Sequence, residues 1–214
     1  MEFRRYLDRC DAGKELATFL TQYTQKDNTI ILALPRGGVP VAHEVAKKLQ
    51  IPFYPYLVRK LGVPGHAELA MGAIATGGTA IFNQSVLNML RISQNEIDQV
   101  MTMEKKELER REKAYFAQKK LPSLKGKDVI LIDDGIATGA TMKVAIAALR
   151  KEEVDAIIVT VPVCPESAVE EFQAIADQFI CPLIIEEFAA VGEWYQSFPA
   201  VEDETVIALM QDKI

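Results

Sequence analysis

Apolar and polar positions along this chain repeat with two different periods. Leu16, Phe19, Leu20 and Tyr23 recur at the i, i+3, i+4, i+7 spacing of a helix, with Asp11 placed to cap it. Thr29 to Leu34 is a short, almost wholly apolar run, as expected of a strand covered on both faces. Pro35-Arg36-Gly37-Gly38 breaks that run. Val41, Val45 and Leu49, beside Ala42 and Ala46, then form the stripe of the next helix. Tyr54 to Val58 reads as a strand and Arg59 to Glu68 as a Gly/Pro loop. Two short strands follow, near Ala70–Ala75 and Thr79–Phe82.

The middle of the chain changes character. Ser93 to Lys120 is polar, charged and free of Gly and Pro, and Ser93 with Glu96 has the spacing of a capping box. A helix of that extent would reach roughly 40 Å. Ile97, Val100, Met101, Leu108 and Tyr115 give it only a partial apolar stripe. The pattern predicts a helical insertion at about 83–122, acting as a structural arm or a dimerisation helix rather than in catalysis. A homodimer is therefore plausible. Past Pro122 the alternation returns, with strands at Asp128–Asp133, Ala156–Val161 and Pro182–Ile185 and helices at Thr141–Arg150 and Glu166–Gln178. Repeated strand–helix–strand units predict a single α/β domain over 1–214, doubly wound around a mainly parallel sheet. Ligands of such sheets bind at the carboxyl ends of the strands.

Composition narrows the function classes. Of 214 residues, 49% are hydrophobic and 25% charged, the balance of a globular protein rather than a disordered one. Lys and Arg total 24 against 30 Asp and Glu, for a formal charge of −6. That argues against nucleic acid as a partner, because such binding draws on Lys and Arg at the phosphates. Cys10, Cys164 and Cys181 contain no C-x-x-C pair and read as small apolar filler in a reducing compartment. Met1 to Arg5 leads into charges, not an apolar signal, and the longest apolar stretch, Ala156 to Cys164, is too short to span a bilayer. The expectation is a cytoplasmic protein without a membrane partner. His43 begins His43-Glu44-Val45-Ala46-Lys47, which lacks the second His of a zinc helix, and is placed on a helix surface.

Candidate chemistry concentrates in Val129-Ile130-Leu131-Ile132-Asp133-Asp134-Gly135-Ile136-Ala137-Thr138-Gly139-Ala140-Thr141. An apolar strand delivers two carboxylates to its carboxyl end, and a loop of small residues then enters a helix. Small side chains let backbone N–H groups approach an anion, which the helix N-terminus also favours. Carboxylates beside a phosphate cradle make sense if they take ribose hydroxyls or a metal, so the combination suits a phosphorylated sugar. The Lys-Ser/Thr ending of a Walker A loop and any G-x-G-x-x-G fingerprint are missing. By physics alone, a phosphate loop and a plain strand-to-helix turn stand about even.

The segment resembles the signature of type I phosphoribosyltransferases: an apolar strand, two acidic residues, two variable ones, then Ala-Thr-Gly-Gly-Thr before a helix. Only Ala140 departs from it. The resemblance implies a Mg²⁺-dependent enzyme that moves a 5-phosphoribosyl group from 5-phosphoribosyl 1-diphosphate (PRPP) to a base, as in nucleotide salvage. It implies that Asp133 and Asp134 hold the ribose hydroxyls and touch Mg²⁺ through water, and that Ala137, Thr138, Gly139, Ala140 and Thr141 cradle the 5-phosphate. Arg36, Gly37 and Gly38 stand in the place of the first pyrophosphate loop, and Arg59 and Lys60 in that of the basic pair for pyrophosphate. Leu61 to Leu69 looks like the mobile catalytic loop, with His66 or Glu68 as acid/base candidates. Arg59, Lys60, His66 and Asp134 are the catalytic candidates. Read without the resemblance, Pro35 to Pro40 is a glycine turn with a solvated Arg, and His66 an ordinary loop histidine.

Trp194, Tyr195 and Phe198 are either core beneath a loop or a hood on which a flat base stacks. Hypoxanthine-guanine enzymes usually carry Asp where this chain has Ala137, whereas adenine enzymes also have Ala, so the acceptor base stays open. The overall layout most resembles a group of phosphoribosyltransferases without assigned substrates. A non-catalytic PRPP- or nucleotide-binding regulator on the same fold is the alternative, since fold does not fix function.

Overall fold

The computed structural model describes residues 4–116 and 121–212. In chain order its elements are α1 (Arg9–Thr18), β1 (Thr29–Ala33), α2 (Gly38–Leu49), β2 (Phe53–Pro55), β3 (Val58–Val63), β4 (His66–Ala75), β5 (Ala80–Phe82), α3 (Gln84–Leu90), α4 (Gln94–Phe116), β6 (Asp128–Ile132), α5 (Ala140–Lys151), β7 (Ala156–Thr160), β8 (Val163–Pro165), α6 (Glu166–Ile175), β9 (Gln178–Ile180), β10 (Leu183–Ile185) and α7 (Asp203–Gln211).

The apolar runs form a five-stranded sheet in the order β2-β1-β6-β7-β9, parallel throughout. Successive side chains of a strand point to opposite faces, so each central strand feeds two cores. Ile31, Ala33, Ile130 and Ile132 pack with Leu16 of α1, Val45 of α2, Leu108 of α4 and Val206 of α7. Ile30, Leu32, Val129 and Leu131 pack on the other side with Ala145 and Leu149 of α5 and Phe172 of α6. Burying each such Leu, Ile or Val contributes about 1.5–3 kcal/mol. The doubly wound parallel fold read from the alternation is the fold observed. Strand order reverses between β1 and β6, which leaves a crevice at their carboxyl ends.

Several local expectations are corrected. Asp8, not Asp11, caps α1 by accepting from the Asp11 N–H. The helix ends at Thr18, so Phe19 is left 48% exposed and Tyr23 falls in a separate short turn. The expected loop 59–68 is an antiparallel hairpin of β3 and β4 that turns at Pro64-Gly65, with β5 as a third strand. Gly65, at φ 77°, takes the left-handed position of that turn. The expected helix Glu166–Gln178 stops at Ile175 and its last residue, Gln178, opens β9, the sheet's edge strand, while β10 leaves the main sheet to pair with β8. Arg150 and the Ile157 N–H both donate to the Asp177 carboxylate at 2.7 Å, which pins the chain between α6 and β9.

The helical stretch between β5 and β6 is two helices. The capping box forms at α4: the Ser93 N–H donates to Glu96 at 2.9 Å. Positions 117–120 of the expected helix lie outside the described residues. At 23 residues α4 is about 34 Å long. It is not a projecting arm, because Ile97, Leu108, Tyr115 and Phe116 are buried in the first core. His43, expected on a surface, is buried beside Phe53 with its Nε2 3.0 Å from Asp212. Among the described residues, no helix is long and apolar enough to cross a membrane.

Candidate ligand-binding site

The crevice between β1 and β6 is bounded by the loops that leave those strands. β6 ends in Asp133 and Asp134, and β1 ends in the loop Leu34 to Gly37, in which the Pro35–Arg36 peptide is cis. Backbone from the two loops meets closely. The Leu34 N–H donates to the Ile132 carbonyl at 2.8 Å. A Cβ on Gly37 would lie 2.0 Å from Asp134 Oδ2, and one on Gly38 2.7 Å from the Ile132 carbonyl oxygen. These glycines are required by close approach: any side chain here would push the two loops apart.

Beyond the carboxylates, residues 137–141 lead into α5. Gly139 stands before its first turn at φ 68° and offers no side-chain cap, and Ala137, Thr138, Ala140 and Thr141 are exposed. The Ala140 N–H reaches Thr138 Oγ1 at only 3.5 Å, a weak bond. Most N–H groups of this first turn are therefore uncapped by side chains and face solvent, the arrangement that receives an anion.

The two carboxyls are shifted to different degrees by their surroundings. Burial pushes the Asp133 carboxyl well above its usual range, and the adjacent Asp134 charge adds to the effect. Burial also raises Asp134, but Arg9 opposes that shift. Arg9 Nε and Nη2 each lie 2.8 Å from Asp134 Oδ2, Nη1 donates to the Pro199 carbonyl at 2.8 Å, and the guanidinium carbon sits 3.7 Å from the centre of the Phe198 ring. The Asp134 N–H donates to Asp133 Oδ1 at 2.8 Å, and the Tyr195 hydroxyl to the Asp134 carbonyl at 2.6 Å. Burial pushes the Tyr195 hydroxyl upward, so it stays a donor.

The structure brings Gly37 and Gly38 against Asp133 and Asp134, and the 137–141 loop continues from those carboxylates into α5. Arg36, on the same loop as Gly37, points to the start of α7, 3.3 Å from Asp203 and 3.7 Å from Glu202. Asp203 also accepts from the Tyr115 hydroxyl at 2.6 Å. Arg59 and Lys60 belong to the hairpin. Arg59 Nε donates to Glu104 of α4 at 2.5 Å, and Lys60 Nζ to the Glu68 carbonyl at 3.2 Å. Both line a groove of about 500 Å³ between hairpin and α4, which residues 133–141 do not line. His66 is exposed at the hairpin's tip, paired across it with Val63.

Trp194 and Tyr195 are 8% and 4% exposed, in a small third core with Tyr6 and Val163. The Tyr195 ring lies 4.8 Å from that of Phe198, which also meets Arg9 and Gly192. These rings form a packed cluster rather than an open aromatic shelf. Among the described residues, no group of three or more His, Cys, Asp or Glu side chains is placed to hold a metal. Asp133 and Asp134 offer hard oxygen donors of the kind that, with a substrate's phosphates and water, suits Mg²⁺. Sequence reasoning missed Arg9, Asp203 and Glu104. Nothing local marks Arg9, one of several charges around the start of α1.

The phosphoribosyl transferase domain family matches residues 4–196. A candidate phosphoribosyl transferase of Mycobacterium tuberculosis (strain H37Rv), Rv0571c, is 40% identical over 203 residues. That match covers 95% of this chain and 46% of the relative, so the chain spans about half of the relative's length. The crystal structure of TT1426 from Thermus thermophilus superposes with a TM-score of 0.83 at 36% identity, covering 96% of this chain and 97% of that one. AQ2163 from Aquifex aeolicus, at 11% identity and a TM-score of 0.51, covers 86% of this chain and 78% of its own and shares the fold.

Proposed function

The chain belongs to the phosphoribosyl transferase domain family, which supports a transferase, and from that premise we propose that it uses PRPP. In this reading it transfers the 5-phosphoribosyl group to a nitrogenous base and releases diphosphate, as a cytoplasmic enzyme of nucleotide salvage. One observation carries the proposal: two adjacent carboxylates packed against a glycine loop that bears an arginine are followed directly in the chain by an exposed helix start without a side-chain cap. Carboxylates suit hydroxyls and the helix start suits a phosphate, so the pair fits a sugar phosphate better than either fits a bare anion.

The chemistry asked of the residues is mostly positioning. Asp133 and Asp134 would accept the ribose hydroxyls, and the N–H groups and hydroxyls of Thr138 to Thr141 would hold the 5-phosphate. Backbone N–H groups near Gly37 and Gly38, with Arg36, would face the diphosphate. Arg36 would exchange Asp203 for that ligand, while Arg59 stays with Glu104 in the hairpin groove. Positive charge placed against the departing diphosphate lowers the barrier as the ribose carbon becomes cationic. Asp133 and Asp134 would be the residues to hold Mg²⁺, which would supply further charge neutralisation at the diphosphate.

The test is diphosphate release on mixing the protein with PRPP, Mg²⁺ and a panel of purine and pyrimidine bases. Release that depends on one base supports the transferase. Tight PRPP binding without release under any base favours the non-catalytic binder on the same fold, and no binding contradicts both.

A further inference from the structure

Arg9 and Asp134 are 125 positions apart, yet the Arg9 side chain is fixed at four points. Two N–H groups meet Asp134 Oδ2, a third meets the Pro199 carbonyl, and the guanidinium lies over the Phe198 ring. The residue is 8% exposed. The same carboxylate oxygen also rests against Gly37, at a distance where no Cβ fits. Asp134 thus meets both a rigid guanidinium and a glycine backbone, with both Arg9 bonds falling on Oδ2.

We infer that Arg9 is a positioning residue: it fixes the Asp134 carboxylate so that Oδ1 faces the crevice and receives a ribose hydroxyl. The inference rests on the PRPP reading of Asp134 given above. It makes the N-terminal helix part of the ligand site. It also removes Phe198 as a stacking platform, because Arg9 already covers that ring, so an acceptor base must be held elsewhere. An arginine is the residue suited to this task. Its planar fork holds one geometry, while a lysine in the same place offers charge without orientation.

A purely structural Arg9, tying α1 to the segment 198–199, would affect folding but not the affinity of folded protein for PRPP. Calorimetric titration of PRPP with Mg²⁺ into wild type, Arg9→Gln, Asp134→Asn and the double variant separates the two roles. Arg9→Gln is expected to weaken PRPP binding about tenfold, the effect of losing a charged hydrogen bond. Arg9→Lys should recover part of the loss. In the Asp134→Asn background, Arg9→Gln should have little further effect, since both changes remove one interaction. Unchanged affinity in folded Arg9→Gln, or losses that simply multiply in the double variant, would overturn the inference while leaving the PRPP reading intact. Wild type that fails to bind PRPP overturns both. If Arg9→Gln does not fold, Arg9→Lys carries the cycle, with a smaller loss in the wild-type background and none in Asp134→Asn.

Discussion

Asp133 and Asp134 share one strong counter-charge, and it belongs to Asp134. Removing either carboxylate should therefore have opposite effects on stability in the absence of ligand. The folded state holds Asp133 with a raised pKa, so ionising it costs the folded form more than the unfolded one. That penalty is absent in acid and complete above the folded-state pKa. Asp133→Asn should raise Tm, and by more at pH 8 than at pH 4. The amide oxygen that this substitution introduces can still accept the Asp134 N–H. Asp134→Asn instead strands the buried Arg9 charge and should cost about 2–3 kcal/mol, a Tm fall of several degrees at pH 7. Thermal melts of the two variants decide this; equal shifts of one sign would contradict it. Gly37→Ala should destabilise by about 1–3 kcal/mol, because its Cβ would overlap Asp134. The loop 133–141 was legible because its chemistry is contiguous. Arg9 was not, because its partners Asp134, Phe198 and Pro199 come from distant segments that only folding assembles.

The hairpin and α4 form a second unit at the level of elements. Arg59 joins them through Glu104, with side chains 24% and 17% exposed, and Glu107 lies 3.9 Å away. Glu112 of α4 also accepts from the Gly77 N–H at 3.2 Å. Glu104→Gln should loosen this join by about 1–2 kcal/mol. Amide exchange should rise across residues 58–75 while β1 and β6 stay protected, and uniform protection would contradict the account. The parallel strands were legible from uninterrupted apolar runs such as Thr29–Ala33 and Asp128–Ile132. The hairpin was hidden because Gly62, Pro64 and Gly65 imitate a loop, and the register shifts near Gly62 blur the period of two. β9 was hidden because it is three residues long and its first, Gln178, continues the polar end of α6, with Asp177 marking the break. The exposed face of α4 was legible as polar; its buried face became clear only with Arg59, Tyr54 and Asp203 in place.

Across the whole molecule, three of the charges named for the site are already matched in the free protein. Asp134 has Arg9, Arg36 has Glu202 and Asp203, and Arg59 has Glu104. Ligand binding then exchanges the acidic partners of Arg36 for a phosphate while Arg9 keeps Asp134, and affinity should fall as salt rises. The chain's one tryptophan, Trp194, adjoins Tyr195, whose hydroxyl holds the Asp134 carbonyl. PRPP should therefore change Trp194 emission, and a saturable change that Asp134→Asn loses would report the site directly. The measurement that bears most on the account is calorimetric titration of PRPP with Mg²⁺ into wild type and Asp134→Asn, both shown to be folded. The account predicts a saturable one-site isotherm for wild type and at least about a tenfold weaker one for Asp134→Asn. Equal affinity of the two proteins, or no heat from wild type, would contradict it.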